Sequence, residues 1–571
     1  MVLVPTQPRA TFPQPPETVF HGLPGAWVGR LAWTVLDTDF GDGQRFLGIR
    51  QAWQQDANRP RMLHYVGIAA DVSRFGTEAA LTDVCANLGP GFHRILLDEG
   101  SVSLTLCLGD TCTLLAEQVF QADLLFTQVP DDKWAAQLLA RRCKRGTRLW
   151  VEPPAFPLKN ASLEHGTALL NAAGFVLDNP SLESAAITGN FNPRWTISRT
   201  RAPSLQVAPP PARCAVIGAG LAGASVAQAL AARGWQVSVL DQEWGPAAGA
   251  SGLPVGLAVP HVSADNNPRS RLTRSGTHLM KQHAQRLLAR GADWEPSGVH
   301  ELRPDTEPLW HADAFWLKPG KLVQAWMAQP GVRFVPHARV AGMSHNSGVW
   351  VLRGDNGEEL GQFEVVVLAN AMGCVPLLRA SLGAGSQLPS ELPDMLDALH
   401  AVHGTLSHGT YAETLPGLPA TPVNGHGCFI PHVPGPLGEQ WCAGSTFEPD
   451  ALVAADIQAQ HALNMERLRR LLPLDGYDLP DTLDRGPVAQ WTSTRCVTHD
   501  RLPLVGAVET TAGPGLWLCV GMGARGLSLS ALCAELLAAR LGAEPLPVEF
   551  SLSRSLDVNR VRRKTASRVE D

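Results

Sequence analysis

The sequence has no CxxC pair, and its 11 cysteines fall at no metal-ligand spacing. That excludes a zinc site of the usual kind and a disulfide-stapled scaffold, and it suits reduced thiols. There is no positively charged start followed by a long apolar core. The N-terminus runs Met-Val-Leu-Val-Pro and then turns polar and Pro-rich, so no signal peptide is expected. No apolar run is long enough for a bilayer, because the most apolar late stretch, Leu516 to Leu541, is broken by Arg525 and Glu535. Positive charge is not in excess either. A net charge of -6 means that any nucleic-acid contact must rest on a local patch. No internal repeat is present. A soluble, cytoplasmic protein without a metal is expected. What the chain does have is length: 571 residues, 45% of them hydrophobic, predict two or three domains.

The seam lies near residue 205. Arg199 to Arg213 reads RTRAPSLQVAPPPAR, and proline fixes φ and removes donors, so this run continues neither sheet nor helix. The expected organisation is a domain over 1–205, a Pro-rich linker over 206–213 and a second domain over 214–571. In the first, strand-like runs (Ala32–Leu36, Leu63–Ile68, Leu104–Leu108, Asp123–Phe126, Arg148–Val151) recur with helical windows such as Asp132 to Arg142 between them. This pattern predicts a doubly wound parallel sheet.

The strongest motif opens the second domain, CAVIGAGLAGASVAQALAARGWQVSVLDQE, Cys214 to Glu243. A short buried strand, Cys214–Ile217, leads into Gly218, Gly220 and Gly223 at GxGxxG spacing. A helix over Leu221 to Arg233 and a second strand, Gln236–Leu240, ending in Asp241, follow. Gly218 makes the tight turn, Gly220 lets main chain approach a pyrophosphate, and Gly223 lets helix and strand pack closely. The helix N-terminus supplies free N–H groups and the positive dipole end. Asp241 is placed to accept from ribose hydroxyls. A dinucleotide site follows; the pattern alone does not separate FAD from NAD.

Three further stretches resemble the glycine oxidase/D-amino-acid oxidase superfamily. They are Gly249-Ala250-Ser251-Gly252 after the second strand, Val365 to Ala371, and the C-terminal Gly-rich turn Gly521 to Leu527. The resemblance implies FAD, held by Gly218, Gly220, Gly223, Asp241, Ser251, Gly252, Ala369, Gly523, Gly526 and Leu527. It also implies an α+β substrate-binding part with an antiparallel sheet, interleaved with the Rossmann-type domain. Arginines matching Arg495 and Arg525 hold a substrate carboxylate over the flavin in that superfamily. A planar fork of donors suits this task. Arg501 is read as structural, paired with its neighbour Asp500.

Both halves together resemble the bifunctional tRNA-modifying family that completes 5-methylaminomethyl-2-thiouridine at the wobble position. In that family an S-adenosyl-L-methionine-dependent methyltransferase domain is fused to an FAD domain. The match includes Phe315 to Pro319, Gly427 to Pro431, Gly444 to Phe447 and Asp500 to Gly506. It implies oxidative removal of a carboxymethyl group from the modified base, then methylation of the freed amine. The sequence departs from the family at the cofactor loop Val35 to Leu47, where Asp39 replaces a glycine and Arg45 an asparagine. It departs after the second strand, where Ala69-Ala70 stands for an acid. Thr127-Gln128-Val129-Pro130 replaces Asp-Gly-Phe-Ala-Pro, and His403-Gly404-Thr405 replaces Arg-Gly-Gln. The N-terminal domain is therefore expected to keep the methyltransferase fold and to bind S-adenosyl-L-methionine poorly. Two basic clusters could meet tRNA phosphates: Arg141, Arg142, Lys144, Arg145 and Arg148, and the tail Arg560, Arg562, Arg563, Lys564 and Arg568. The alternatives are a free small-amine oxidase and a non-catalytic tRNA-binding flavoprotein.

Overall fold

The computed structural model describes residues 22–73, 85, 88–152, 160–178, 187–196, 209–303, 307–383, 392–410, 418–449, 456–472, 483 and 488–560. The chain divides into two compact units, Met1–Leu205 and Gln206–Asp571.

The first unit is built on an eight-stranded sheet. In chain order its strands are β1 (Ala32–Asp37), β2 (Met62–Ala69), β3 (Gly91–Leu97), β4 (Val102–Leu108), β5 (Ala122–Gln128), β6 (Cys143–Glu152), β7 (Phe175–Asp178) and β8 (Ile187–Phe191). They lie in the order β3-β4-β2-β1-β5-β6-β8-β7. The central pairs β4–β2, β2–β1, β1–β5 and β5–β6 are parallel. Helix α1 (Gln44–Gln55) follows β1, and α2 (Lys133–Arg141) follows β5. Alternate residues serve opposite cores. Leu36, Val66 and Leu125 face one layer, while Val35, Tyr65 and Phe126 face the other. Burial on both faces explains why these strands read as continuous apolar runs. The antiparallel edge strand β3 is not evident from the sequence, because His93 and Arg94 interrupt its pattern. Both are buried.

The second unit carries, among others, β9 (Arg213–Ile217), β10 (Gln236–Leu240), β11 (Val332–Val335), β12 (Val365–Leu368), β13 (Leu399–Thr410), β14 (Val488–Thr498), β15 (Leu504–Ala507) and β16 (Leu516–Val520). Six of these form a sheet in the order β11-β10-β9-β12-β16-β15. It is parallel except for β15 against β16. Helix α3 (Leu221–Ala232) follows β9, α4 (Pro268–Leu287) lies in the segment before β11, and α5 (Gly526–Gly542) follows β16. The small residues of α3 allow close helix contact, and Ser225 Oγ donates to Ser530 O of α5 at 3.2 Å. A largely antiparallel eight-stranded sheet contains β13, with β14 hydrogen-bonded beside it. The interleaved sheet expected from the sequence is present.

Candidate active site

In an open α/β sheet, ligands sit at the carboxyl ends of the strands where the chain reverses its direction of travel across the sheet. In the second unit that point lies between β9 and β12. Gly218 leaves β9 with φ +106°, and a Cβ there would stand 2.8 Å from Ala369 O and from Asn370 Cα. Ala369 itself donates its N–H to Ile217 O at 2.8 Å. Gly220 caps α3 with no side-chain hydrogen bond, and a Cβ on it would lie 2.9 Å from Ser251 Oγ. At Gly223 a Cβ would collide with Gly218 O. Glycine is thus required at 218 by its φ and at 223 by the Gly218 carbonyl, and main chain is what a ligand would meet at Gly220.

Ser251 and Asp241 hold this loop. Ser251 Oγ accepts from Leu221 N at 2.8 Å. Asp241 accepts from Ala219 N at 2.6 Å and from Glu243 N at 3.0 Å. Asp241 thus pins the glycine loop itself, a duty that sequence spacing does not disclose; a carboxylate retains further lone pairs for ribose hydroxyls. Beside the loop, Asn370 Oδ1 is buried and takes no donor among the described residues. Such an orphan acceptor is costly unless a ligand reaches it. A glycine cradle together with a buried open acceptor fits a dinucleotide.

The opposite wall comes from β14 and the start of α5. Residues 491, 495 and 497 alternate onto one face of β14. Trp491 Nε1 lies 3.8 Å from where a Cβ of Gly252 would stand, and Val497 Cγ1 lies 3.0 Å from that of Gly523. Arg495 shares the face that looks onto these segments. Its Nη2 donates to Ser445 Oγ at 2.6 Å, and a side chain at Gly404 would press on the guanidinium. The Gly404 of the departing His-Gly-Thr stretch is therefore needed for Arg495, while His403 bonds Thr494 at 2.9 Å. Arg525 caps α5 two residues after Gly523. Gly526 follows it, and a Cβ there would stand 3.3 Å from Leu221 Cδ1, so the N-termini of α3 and α5 converge. Leu527 lies over Gly256.

Arg495 and Arg525 stand apart from the paired arginines of this unit. Arg233 is buried between Glu535 and Glu544, and Arg560 is bound by Asp500. No carboxylate pairs with Arg495 or Arg525 among the described residues. Burial pulls Arg495 below its ordinary value, with Cys428 acting the other way. Burial also pulls Arg525 down, helped by the like charges of Arg269 and Arg501. Both remain charged at neutral pH and would gain from an incoming anion. Ser445 and Asn370 escaped the sequence reading, although both lie in stretches that carried the resemblance.

Two expectations are corrected. Asp500 takes Arg560 Nε and Nη2, at 2.9 and 3.0 Å, rather than Arg501, because the turn points Arg501 to solvent at φ +61°. Arg560 is therefore a buried staple and not part of a solvated tail; Arg562, Arg563, Lys564 and Arg568 lie outside the described residues. In the other basic cluster, Arg142 is buried against Gln118 O, Lys144 meets Asp123, and Arg145 bonds Asn192 and Trp195 O. Most of that patch serves its own fold.

The fold and the cradle define a dinucleotide-binding class, and the chain matches the FAD dependent oxidoreductase family over residues 213–309 and 292–540. Over nearly its whole length it is similar to bifunctional proteins. It is 44% identical over 586 residues to the tRNA 5-methylaminomethyl-2-thiouridine biosynthesis bifunctional protein MnmC of Albidiferax ferrireducens, covering 94% of each chain. The corresponding protein of Polaromonas naphthalenivorans is 39% identical, over 93% of this chain and 90% of that one. The chain belongs to this MnmC family. Glycine oxidase from Geobacillus kaustophilus superposes with a TM-score of 0.49 at 19% identity, over 61% of this chain and 99% of that one.

Proposed function

We propose that this chain modifies the wobble uridine of tRNA, oxidatively removing the carboxymethyl group of 5-carboxymethylaminomethyl-(2-thio)uridine to leave the aminomethyl form. The observation that carries this reading is a pair of part-buried guanidinium groups without carboxylate partners, set against the Gly252 and Gly523 segments. Membership of the MnmC family supports the tRNA substrate.

Gly218, Gly220, Gly223 and Ser251 would hold the pyrophosphate of FAD, with Asp241 toward the ribose and Ala369, Gly523, Gly526 and Leu527 along the remainder. Bound there, FAD supplies a two-electron acceptor for hydride from the carbon between nitrogen and carboxylate. Arg495 and Arg525 clamp that carboxylate and fix the donor carbon, and such positioning lowers the barrier without any acid–base pair. Ser445 holds Arg495 in place. The substrate imine then hydrolyses to the aminomethyl base and glyoxylate. In the family, methylation of the amine by the N-terminal domain follows. The base must leave its stack to reach the cradle, and a tRNA substrate makes the work cytoplasmic.

The test is anaerobic mixing of the yellow holoprotein with tRNA bearing the carboxymethylaminomethyl group. Bleaching of the flavin band by this tRNA, and not by free glycine, is the expected result. Bleaching by glycine alone would make the chain a small-amine oxidase, and a colourless protein refusing added FAD would end both readings.

A further inference from the structure

The parallel cores of the two units run in corresponding strand order, β4-β2-β1-β5-β6 and β11-β10-β9-β12-β16, but their switch points differ. In the first unit the chain reverses between β1 and β5, so a cofactor would enter at the carboxyl ends of those strands. In the second unit the corresponding crevice is walled by glycine main chain. In the first it is filled by side chains.

Arg45, at the start of α1, turns back into the crevice. Its Nε and Nη2 each lie 3.0 Å from one oxygen of Asp37, the last residue of β1. The same guanidinium donates to Asp39 O and to Glu152 at the end of β6, and it lies over the Phe126 ring at 5.6 Å. Tyr65 Oη donates to Asp37 Oδ2 at 2.6 Å. Across the mouth, Gln128 Nε2 donates to Asp39 Oδ2 at 2.6 Å, and the Thr38 and Thr127 hydroxyls lie 3.0 Å apart. Phe40 covers Gly67 so closely that a Cβ there would lie 2.2 Å from its ring. The Asp37 side chain has no exposure and that of Arg45 has 11%. Burial raises the Asp37 carboxyl to about 6, against the pull of Arg45. For Arg45 burial works against the charge, and Asp37, Tyr65 and Glu152 more than restore it.

We infer that Arg45 is an internal plug: its guanidinium occupies the cofactor crevice of the N-terminal unit, so that S-adenosyl-L-methionine does not bind and the aminomethyl product leaves this chain unmethylated. S-adenosyl-L-methionine carries a sulfonium and an ammonium. To enter, it would have to displace a cation already paired with the buried Asp37 and the part-buried Glu152, and part the Asp39–Gln128 and Thr38–Thr127 bridges. Removing one partner of a buried pair strands the other charge, so the plug resists displacement. Completion of the methylaminomethyl group then falls to a separate N-methyltransferase. In that reaction the amine lone pair forms the N–C bond as the S–CH3 bond breaks, S-adenosylhomocysteine departs, and the nitrogen loses a proton.

The inference rests on the family reading of the N-terminal unit and not on the flavin reaction, so flavin bleaching and cofactor uptake fail independently. The test is equilibrium dialysis of the full-length holoprotein with labelled S-adenosyl-L-methionine. No saturable uptake is expected up to about 1 mM, against at least a ~10-fold gain in affinity for the Asp39→Gly/Arg45→Asn variant. Near-UV circular dichroism reports whether that variant folds; should it not, the same comparison is made with Arg45→Gln. Uptake of one equivalent by the wild type at micromolar concentration would overturn the inference. So would a folded variant that still takes up none, because the obstacle would then not be Arg45.

Discussion

At the residue scale, the proposed function of the flavin unit depends on what is absent: side chains at three glycines and acids beside two arginines. Replacing Arg495 or Arg525 by lysine keeps the charge and removes the fork. Losing one charge-assisted hydrogen bond costs about 1.5–3 kcal/mol, so kcat/KM for the modified tRNA should fall about 10–100-fold for each, with flavin content unchanged. Steady-state kinetics beside the absorbance ratio checks this; a variant of normal kcat/KM would remove that arginine from the site. Gly223→Ala makes the opposite error, filling space. Its Cβ would stand 1.8 Å from Gly218 O, a backbone atom that cannot swing aside. The expected result is a loss of about 1–3 kcal/mol in stability and a fall in bound FAD, read from thermal unfolding and the flavin band. These positions were legible because the motif fixes spacing along the chain. Ser445 and Asn370 were not, since Ser445 meets Arg495 across 50 residues of sequence and Asn370 matters only by facing Gly218.

At the element scale, α3, α4 and α5 form the buried frame that aims the two helix N-termini. A Cβ at Gly276 of α4 would meet Ser528 O at 1.8 Å, and Arg233 ties the end of α3 to Glu535 and Glu544. His283 of α4 is buried, and two donors face its Nδ1, Trp326 Nε1 at 3.2 Å and Arg286 Nη2 at 3.4 Å. That nitrogen therefore carries no proton. Burial, and then Arg286, lowers the imidazole from 6.5 to about 3. Below pH 6.5 the unfolded chain takes a proton that the folded chain refuses. This contribution is thus full above pH 6.5 and is lost progressively as pH falls toward 3. His283→Gln keeps an acceptor for Trp326 and does not titrate. Denaturant unfolding at pH 7 and pH 5 should show a smaller drop in midpoint for the variant than for the wild type. An equal drop in both would assign the pH dependence to other groups. The apolar helices and central strands were readable because burial on all sides leaves no polar interruption, whereas β3 hides behind His93 and Arg94.

At the scale of the whole molecule, one parallel strand order occurs twice with opposite outcomes at the switch point, and sequence alone resolved only the open one. The Arg45 substitution was visible as a departure. Its consequence was not, because the plug unites β1, β5, β6 and α1 from 107 residues of separation. Each unit has cores of its own, Leu36 through Phe191 and Leu23 through Phe126 in the first, Ala215 through Val558 in the second. Independent cores predict independent folding, which bears on the proposed boundary at 205. Residues 197–208 lie outside the described residues, but their sequence offers trypsin Arg199-Thr200 and Arg201-Ala202 ahead of the proline run. Limited digestion should cut there first and leave two stable pieces, because the proline run that follows continues neither helix nor sheet. The larger piece should stay yellow, since the residues proposed to hold FAD all lie beyond 213. Early cleavage within the second unit, or loss of flavin on separation, would show that the second unit does not fold independently.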